Sequence, residues 1–513
     1  MDDWSAGYVT DIGYTYGYYP ELNPLRVQLA LLSAGIAAPA AVGTACELGF
    51  GQGVSINMHA AASPTHWYGT DFNPAQVGFA QDLARTSGAR AELFDDAFAD
   101  FANRPDLPAF DYIGLHGIWS WISDANRKAI VDFIGRKLKV GGVVYVSYNT
   151  LPGWAGFMPM RHLLVQHAEL MGSRASGTVR RVDTALDFAD RLMAAKPAYG
   201  RAHPATAERL KKMREQARPY LAHEYFNRDW HPMHFADAAE VLSTAKLGFA
   251  CSAHLTDLVD AVNLTQEQRN LLADIADPLF RETVRDFMVN QQFRRDYWVK
   301  GARRLSAAEQ ADALRRLRVV LITNRADVPL KFTGAMGEAT MAEGVYGPIL
   351  DALAGNKPMT LAELETAIES RKISFTQLRQ AVLVLAGAGH VHAAQDDPAI
   401  AKAAKQTDKL NAHLMQRARW SGDLNFLASP VTGGGITVGR ITQLFLLQSL
   451  QNKKAQPADL ARAAWELLSA QGQRVLKEGK TLEDPQENLA ELTTQANTFA
   501  QKQLAVLKAL QVI

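Results

Sequence analysis

The chain has 513 residues, 48% of them hydrophobic and 21% charged, which is enough to bury a substantial core and too many for one ordinary domain. Lys plus Arg number 54 against 53 Asp plus Glu, so no global basic excess exists to attract nucleic acid or an anionic membrane surface. The opening "MDDWSAGYVTDIGYTYGYYP" lacks the basic and then apolar order of a signal peptide, no apolar run is long enough to span a bilayer, and two cysteines exclude a disulfide framework or Cys-rich metal site.

These features predict a soluble, cytoplasmic protein of two or three domains, with Cys46 and Cys251 as small buried residues. Along the first third, short β-type runs alternate with helical stretches. "AVGTACELG", "HWYGTD", "RAELF", "FDYIGL" and "VVYVSYN" read as strands. "VSINMHAAA", "PAQVGFAQDLARTSG" and "NRKAIVDFIGRKL" read as the helices between them. Strands separated by helices of this length predict a parallel, doubly wound α/β sheet, whose ligands sit beyond the carboxyl ends of the strands.

From residue 156 to 232, Arg, Ala and Leu at helical spacing predict a helical lid inserted into the first domain. "HFADAAEVLSTAKLGFACSAHL" and "FRRDYWVKG" then return a helix and two strands that should complete the same sheet. Beyond residue 306, three helical segments and a β tip, with Thr360 and Ser374 as helix N-caps, have the order of a winged helix. Its third helix is poor in Lys and Arg, which favours protein contact over DNA. The remainder is mainly helical, with "LASPVTGGGITVG" as its one conspicuous loop. The expected division is 1–155 for the Rossmann-like core, 156–232 for the insertion, 233–305 for the sheet's completion, 306–400 for the winged helix and 401–513 for a helical end.

"CELGFGQGVS" places Gly49, Gly51 and Gly53 between the first strand and the next helix, a geometry that turns backbone amides toward a ligand. The spacing is not that of the dinucleotide fingerprint, since Val54 stands where Gly or Ala is needed, and no phosphate-cradling Lys-Ser or Lys-Thr follows. Glu47 would repel a pyrophosphate and suits a cationic ligand. Asp71, eighteen residues past Gly53 at the end of the second strand, is placed to accept both hydroxyls of a ribose. Asp96, preferred over Asp95, follows the third strand where an adenine amino group would lie. Together these carboxylates describe S-adenosylmethionine better than NAD. On the acceptor side His116, Trp119 and Trp121 follow the fourth strand, and Tyr148, Asn149 and Trp154 the fifth. Tyr14, Tyr16, Tyr18 and Tyr19 are available from the N-terminus. Such an aromatic, polar setting can desolvate and orient an amine.

"ELGFGQG", "YGTDFNPAQ", "DYIGLHGIWSW" and "VSYNTLPGW" resemble class I methyltransferases that carry a methyltransferase regulatory domain, a bacterial family including rickettsial lysine methyltransferases that act on an outer-membrane protein. The resemblance continues in "YLAHEYFNRDWHPMHF" and "FLASPVTGGGITVG" and so covers nearly the whole chain. It implies S-adenosylmethionine contacts at Glu47, Gly49, Gly51, Gly53, Asp71, Phe72, Asp96 and His116. It implies a methyl-acceptor side built from His116, Trp119, Tyr148, Asn149, Tyr14 and Tyr18. Phe50 departs from the small residue expected in the loop and would narrow the pocket, and Asn23 stands where His is expected. A protein lysine is the favoured acceptor, with a small molecule in a lid-closed pocket or a non-catalytic, cofactor-binding interaction protein as alternatives. His223, His231 and His234 lack zinc spacing, and no nucleophile elbow or carboxylate pair favours a hydrolase.

Overall fold

The computed structural model describes residues 8–9, 12–172 and 176–513. Helix α1 (Pro24–Ser33) precedes β1 (Thr44–Leu48), α2 (Val54–Ala62), β2 (His66–Thr70), α3 (Pro74–Ser87) and β3 (Ala91–Phe94). Then come α4 (Phe98–Ala102), β4 (Phe110–Leu115), α5 (Asp124–Lys137) and β5 (Leu138–Asn149). Local chemistry sets the boundaries. Asn73 caps α3 ahead of Pro74, and Gly88, with φ of 69°, stops it in the left-handed conformation that glycine adopts without strain.

Five helices follow: α6 (Met158–Leu170), α7 (Gly177–Ala194), α8 (Ala198–Ala202), α9 (Ala205–Glu215) and α10 (Arg218–Tyr225). After α11 (Phe235–Ser243), β6 (Leu247–Ser252), α12 (Gln266–Ala273) and α13 (Pro278–Val289), strand β7 (Phe293–Lys300) returns to the sheet. Its seven strands run β3-β2-β1-β4-β5-β7-β6. The first five are parallel, and β7 enters antiparallel between β5 and β6. The late strands therefore join the first sheet, with β7 reversed.

Next come α14 (Ala307–Arg316), β8 (Arg318–Leu321), a small β9 (Lys331–Gly334) and β10 (Gly337–Thr340) hairpin, and α15 (Glu343–Ala352). Strand β11 (Met359–Thr360), α16 (Leu361–Ala367), α17 (Phe375–Gly387) and β12 (Val391–Ala394) complete a three-stranded sheet in the order β11-β8-β12. Thr360 and Ser374 both form capping boxes, with Glu363 and Gln377 as partners. The long α18 (Asp397–Arg417) leads into β13 (Phe426–Ser429) and β14 (Gly434–Thr437), and further helices close the chain.

The expected loop "LASPVTGGGITVG" is therefore a hairpin. Its glycines serve close approach: a Cβ on Gly434 would lie 2.4 Å from Tyr18 Oη, and one on Gly435 would lie 2.5 Å from Met58 Sδ. The hairpin and α18 pack on α2, all nine residues of which are buried. "VSINMHAAA" is apolar around its whole circumference, so it needs cover on the side away from the sheet as well. Asn23, where His was expected, is part of this seam, capping α1 through Leu25 and donating to the Thr432 carbonyl at 2.9 Å. Gln395 ties the layers together. Its side-chain amide donates to the carbonyls of Ala62 at 2.7 Å and Pro430 at 2.6 Å. Gln395→Ala strands two buried carbonyls and is expected to destabilise the chain by about 2–4 kcal/mol in denaturant titration. An unchanged midpoint would show that the seam is held elsewhere.

Candidate functional site

A cavity opens at the carboxyl ends of β1 to β4, lined by Gly49 and Gly51 of the glycine turn, Asp71, Phe72, Asn73 and Gln76 after β2, Asp96 to Phe98 after β3, and His116 to Ile118 after β4. Trp121, Ile122, Ser123 and Asn126 extend one wall, Tyr8 and Tyr14 form another, and Asp229 arrives from the segment after α10. The turn is fixed by a bond the sequence does not announce: Gly51 N–H donates to Asp71 Oδ2 at 2.8 Å, while Asp71 Oδ1 accepts Asn73 N–H at 3.0 Å. Gly49 has φ of 71°, and a Cβ there would sit 2.7 Å from Ile118 Cγ2, so this position requires glycine on two grounds.

Among the described residues the lining has three carboxylates, Asp71, Asp96 and Asp229, and no Lys or Arg. Glu47 is buried beneath it, and burial together with the Asp71 charge pushes its carboxyl up to about 8. Burial likewise pushes Asp71 up to about 6, opposed by the Asn73 and Gly51 amides. Asp96 is held by Arg104 at 3.0 Å from outside the cavity, and its carbonyl accepts the Thr70 hydroxyl. Asp95 is exposed and outside the lining. Such a surface repels phosphate and attracts a cation.

His116 sits at the inner end. Its Nδ1 is 2.9 Å from the Tyr145 hydroxyl, and its ring stacks on Tyr19 with centroids 3.5 Å apart. Burial lowers its pKa to about 4, which keeps the imidazole neutral. Ser147, on the same strand face as Tyr145, accepts Gly117 N–H at 2.8 Å and so sets the loop after β4.

Several expected site residues lie elsewhere. Tyr148 belongs to the opposite face of β5 from Tyr145, because side chains alternate along a strand. It is fully buried and donates to Asp296 Oδ2 at 2.9 Å. Trp119 is likewise fully buried in that far-side core, its carbonyl accepting Arg127 at 3.1 Å. Asn149 fastens loops together, its N–H donating to Ser120 Oγ at 2.8 Å and its Oδ1 accepting Trp154 Nε1–H at 3.1 Å. Trp154 packs against Trp230 and Tyr225. Tyr18 packs on His59 and Phe426, and Tyr16 on Phe79, both toward the C-terminal half. Gly53 caps α2 and lies outside the lining; a Cβ there would be 2.4 Å from that of Ala80. Phe50 does not narrow the cavity: it is buried in the core, occupying space that glycine at position 69 leaves free.

The residues missed were Tyr8, Gln76, Ile118, Ser123, Asn126, Asp229, Tyr145 and Ser147. Alternation along β5 could have selected Tyr145 and Ser147 once His116 was fixed on that face. The three histidines diverge: His223 meets the rings of Tyr8 and Tyr14, His231 lies 3.6 Å from Asp229, and His234 stacks on Phe287.

Residues 217–300 match the family described as "Predicted methyltransferase regulatory domain". An uncharacterized protein of Synechocystis sp. is 42% identical over 511 residues, 99% of each chain. An uncharacterized protein of Rickettsia prowazekii is 25% identical over 288 residues, 55% of this chain and 51% of its own. The chain belongs to the class I S-adenosylmethionine-dependent methyltransferases that carry this regulatory domain. The solved structure of PKMT2 from Rickettsia typhi in complex with AdoHcy shares the fold at a TM-score of 0.68 and 16% identity, covering 98% of this chain and 100% of that one. Among the described residues no helix is long and apolar enough to cross a membrane, and no group of three or more His, Cys, Asp or Glu could hold a metal ion.

For a methyltransferase of this family, the site makes two measurable demands. Asp71→Ala removes the anchor of the Gly51 amide and is expected to weaken AdoHcy binding in calorimetry by at least about 100-fold; affinity within threefold of wild type would contradict that role. Glu47 and Asp71 are both raised, so each protonates within the neutral range when the site is empty. A cationic ligand favours their ionised forms, so its affinity must fall as pH drops through 8 toward 6. S-adenosylmethionine is thus expected to gain about tenfold over uncharged-sulfur AdoHcy between pH 6 and 8. A flat ratio would contradict the electrostatic account.

Proposed function

We propose that this methyltransferase delivers its methyl group to the ε-amine of a protein lysine. The observation that carries the reading is a cavity whose described lining holds three carboxylates and no basic residue and whose walls are aromatic, through Tyr8, Tyr14 and Trp121. Three carboxylates suit a cationic donor, and the aromatic rings suit a cationic acceptor. The likeness to PKMT2, solved with AdoHcy, the demethylated form of S-adenosylmethionine, supports a shared donor position.

In this reading Asp71 takes the ribose hydroxyls and Asp96 faces the adenine amino group. The glycine turn, with Glu47 beneath it, takes the methionine end. The donor, when bound, supplies an electrophilic methyl on a sulfonium. The protein's part is to seat, dehydrate and deprotonate the amine, whose free pKa is about 10.4. His116, neutral and held by Tyr145, contributes a fixed dipole at the inner end rather than a charge. The neutral ring is compatible with an incoming cation, whereas an imidazolium would oppose it.

We also read residues 306–400 as a winged-helix-like module used for protein contact. Its support is the three-stranded β11-β8-β12 sheet with α14 to α17 around it. We read 401–513 as the helical end that backs α2, and we place the protein in the cytoplasm, in keeping with two free, buried cysteines.

Incubating the full-length protein with methyl-labelled S-adenosylmethionine and fractionated cell lysate should place label in protein, on lysine, by mass spectrometry. Label confined to small molecules would replace the lysine reading with a small-molecule one. Cofactor binding without any turnover would mark an interaction protein.

A further inference from the structure

Between Ile12 and Tyr19 the chain forms neither helix nor strand, so its main-chain groups take side-chain partners from the structure on either side. On the side of the glycine turn, the Tyr14 carbonyl accepts Gln52 Nε2–H at 3.3 Å, and Tyr19 N–H donates to Ser55 Oγ at 2.8 Å. The Tyr14 ring lies over Gly51, where a Cβ would come within 3.3 Å of its Cδ1. Tyr19, stacked on His116, fixes this end of the segment at the inner end of the cavity.

The opposite side is α10, within the stretch that matches the regulatory domain. His223 on this helix is 3% exposed and meets the segment with its ring. A carbonyl only accepts, so the 3.0 Å contact between His223 Nε2 and the Ile12 carbonyl puts a proton on Nε2. The same ring meets the Tyr14 ring at right angles, with centroids 5.0 Å apart, and the Tyr8 ring at 5.6 Å. Tyr8 in turn packs at right angles on Phe72 at 5.7 Å. Asn227, beyond the end of the helix, gives its amide N–H to the His223 carbonyl and accepts Val9 N–H at 3.0 Å. Tyr8, Tyr14 and Phe72 line the cavity, whereas His223 stands behind that lining.

We propose that His223 is a positioning residue: it clamps the N-terminal segment between the regulatory region and the glycine turn, and through Tyr14 and Tyr8 it sets the outer wall that holds the cofactor. The inference rests on the methyltransferase assignment alone and holds whichever molecule receives the methyl group. The segment is hinged at Tyr19, which Ser55 and His116 hold, and latched at His223. Release of the latch moves Tyr14 off Gly51 and opens the cavity, so the regulatory region reaches the reaction through cofactor exchange. The latch consists of one hydrogen bond and two ring contacts, and its loss shifts the balance between closed and open states by about tenfold.

Hydrogen exchange followed by mass spectrometry on the full-length protein, paired with stopped-flow release of AdoHcy, tests this. In the wild type, saturating AdoHcy should slow exchange in peptides covering residues 12–19 by about tenfold or more. His223→Ala should raise exchange of those peptides in the ligand-free protein and speed AdoHcy release, each by about tenfold, while α2 keeps its wild-type protection. His223→Gln, whose amide keeps an N–H donor, should recover part of both effects. Tyr14→Leu removes the ring contact from the segment's side without touching α10, and so serves where His223→Ala disturbs the helix. It should raise exchange at 12–19 as His223→Ala does, and the double variant should be little worse than either single one. Exchange at 12–19 that ignores AdoHcy in the wild type would overturn the proposal. So would wild-type exchange and release in His223→Ala, a Gln variant no better than the Ala one, or additive effects in the double variant.

Discussion

Helix α2 cannot be left half-covered. Its residues, from Val54 to Ala62, are buried on every side, against the sheet on one flank and against α18 and the β13–β14 hairpin on the other. Its first turn is also the exit of the glycine turn, through Gly53 packed on Ala80. The C-terminal half, more than 300 residues away in sequence, is therefore part of what holds the glycine turn in shape. Asn23 and Gln395, each bonded into the hairpin, extend that seam to α1 and to the end of α2. Burial of side chains such as Val54 and Met58 contributes roughly 1.5–3 kcal/mol each, which makes the seam a structural necessity rather than a surface contact.

With the turn fixed, electrostatics sets the ligand. Asp71 both shapes the turn, through Gly51 N–H, and presents charge to the cavity. Burial raises the cost of ionising both Glu47 and Asp71, the Asp71 charge adds to that of Glu47, and a positively charged guest relieves it. On the open side Tyr8 and Tyr14 line the cavity, and the main-chain carbonyl of Glu224 on α10 holds the indole N–H of lining Trp121 at 3.2 Å.

Much of this was legible in the sequence because periodicity and caps are local. "VSINMHAAA" delimits α2 to the residue, and Asn73, Gly88, Thr360 and Ser374 mark helix ends as their chemistry dictates. Asp71 and Asp96 were found from the rule that ligands lie beyond strand ends. What failed was the step from strand end to strand face. Tyr148 and Trp119 occupy promising positions in the chain yet point to the far-side core, while Tyr145, three residues before Tyr148, meets His116. The glycines of "PVTGGG" signalled a loop by composition, but their use was close approach to Tyr18 and Met58, a tertiary fact invisible to local pattern. Asp229 reaches the site only because the chain after α10 folds back to it, which no spacing in the sequence encodes.

The central claim is that the carboxylates at the ends of β1, β2 and β3, facing a described lining without a basic residue, form a donor site of one polarity. A crystal structure of the full-length protein with AdoHcy tests it most directly. The account predicts ribose hydroxyls on Asp71, the adenine amino group beside Asp96, and the sulfur facing His116 and Tyr14. A ligand bound with its ribose away from Asp71, or seated outside this cavity, would contradict it.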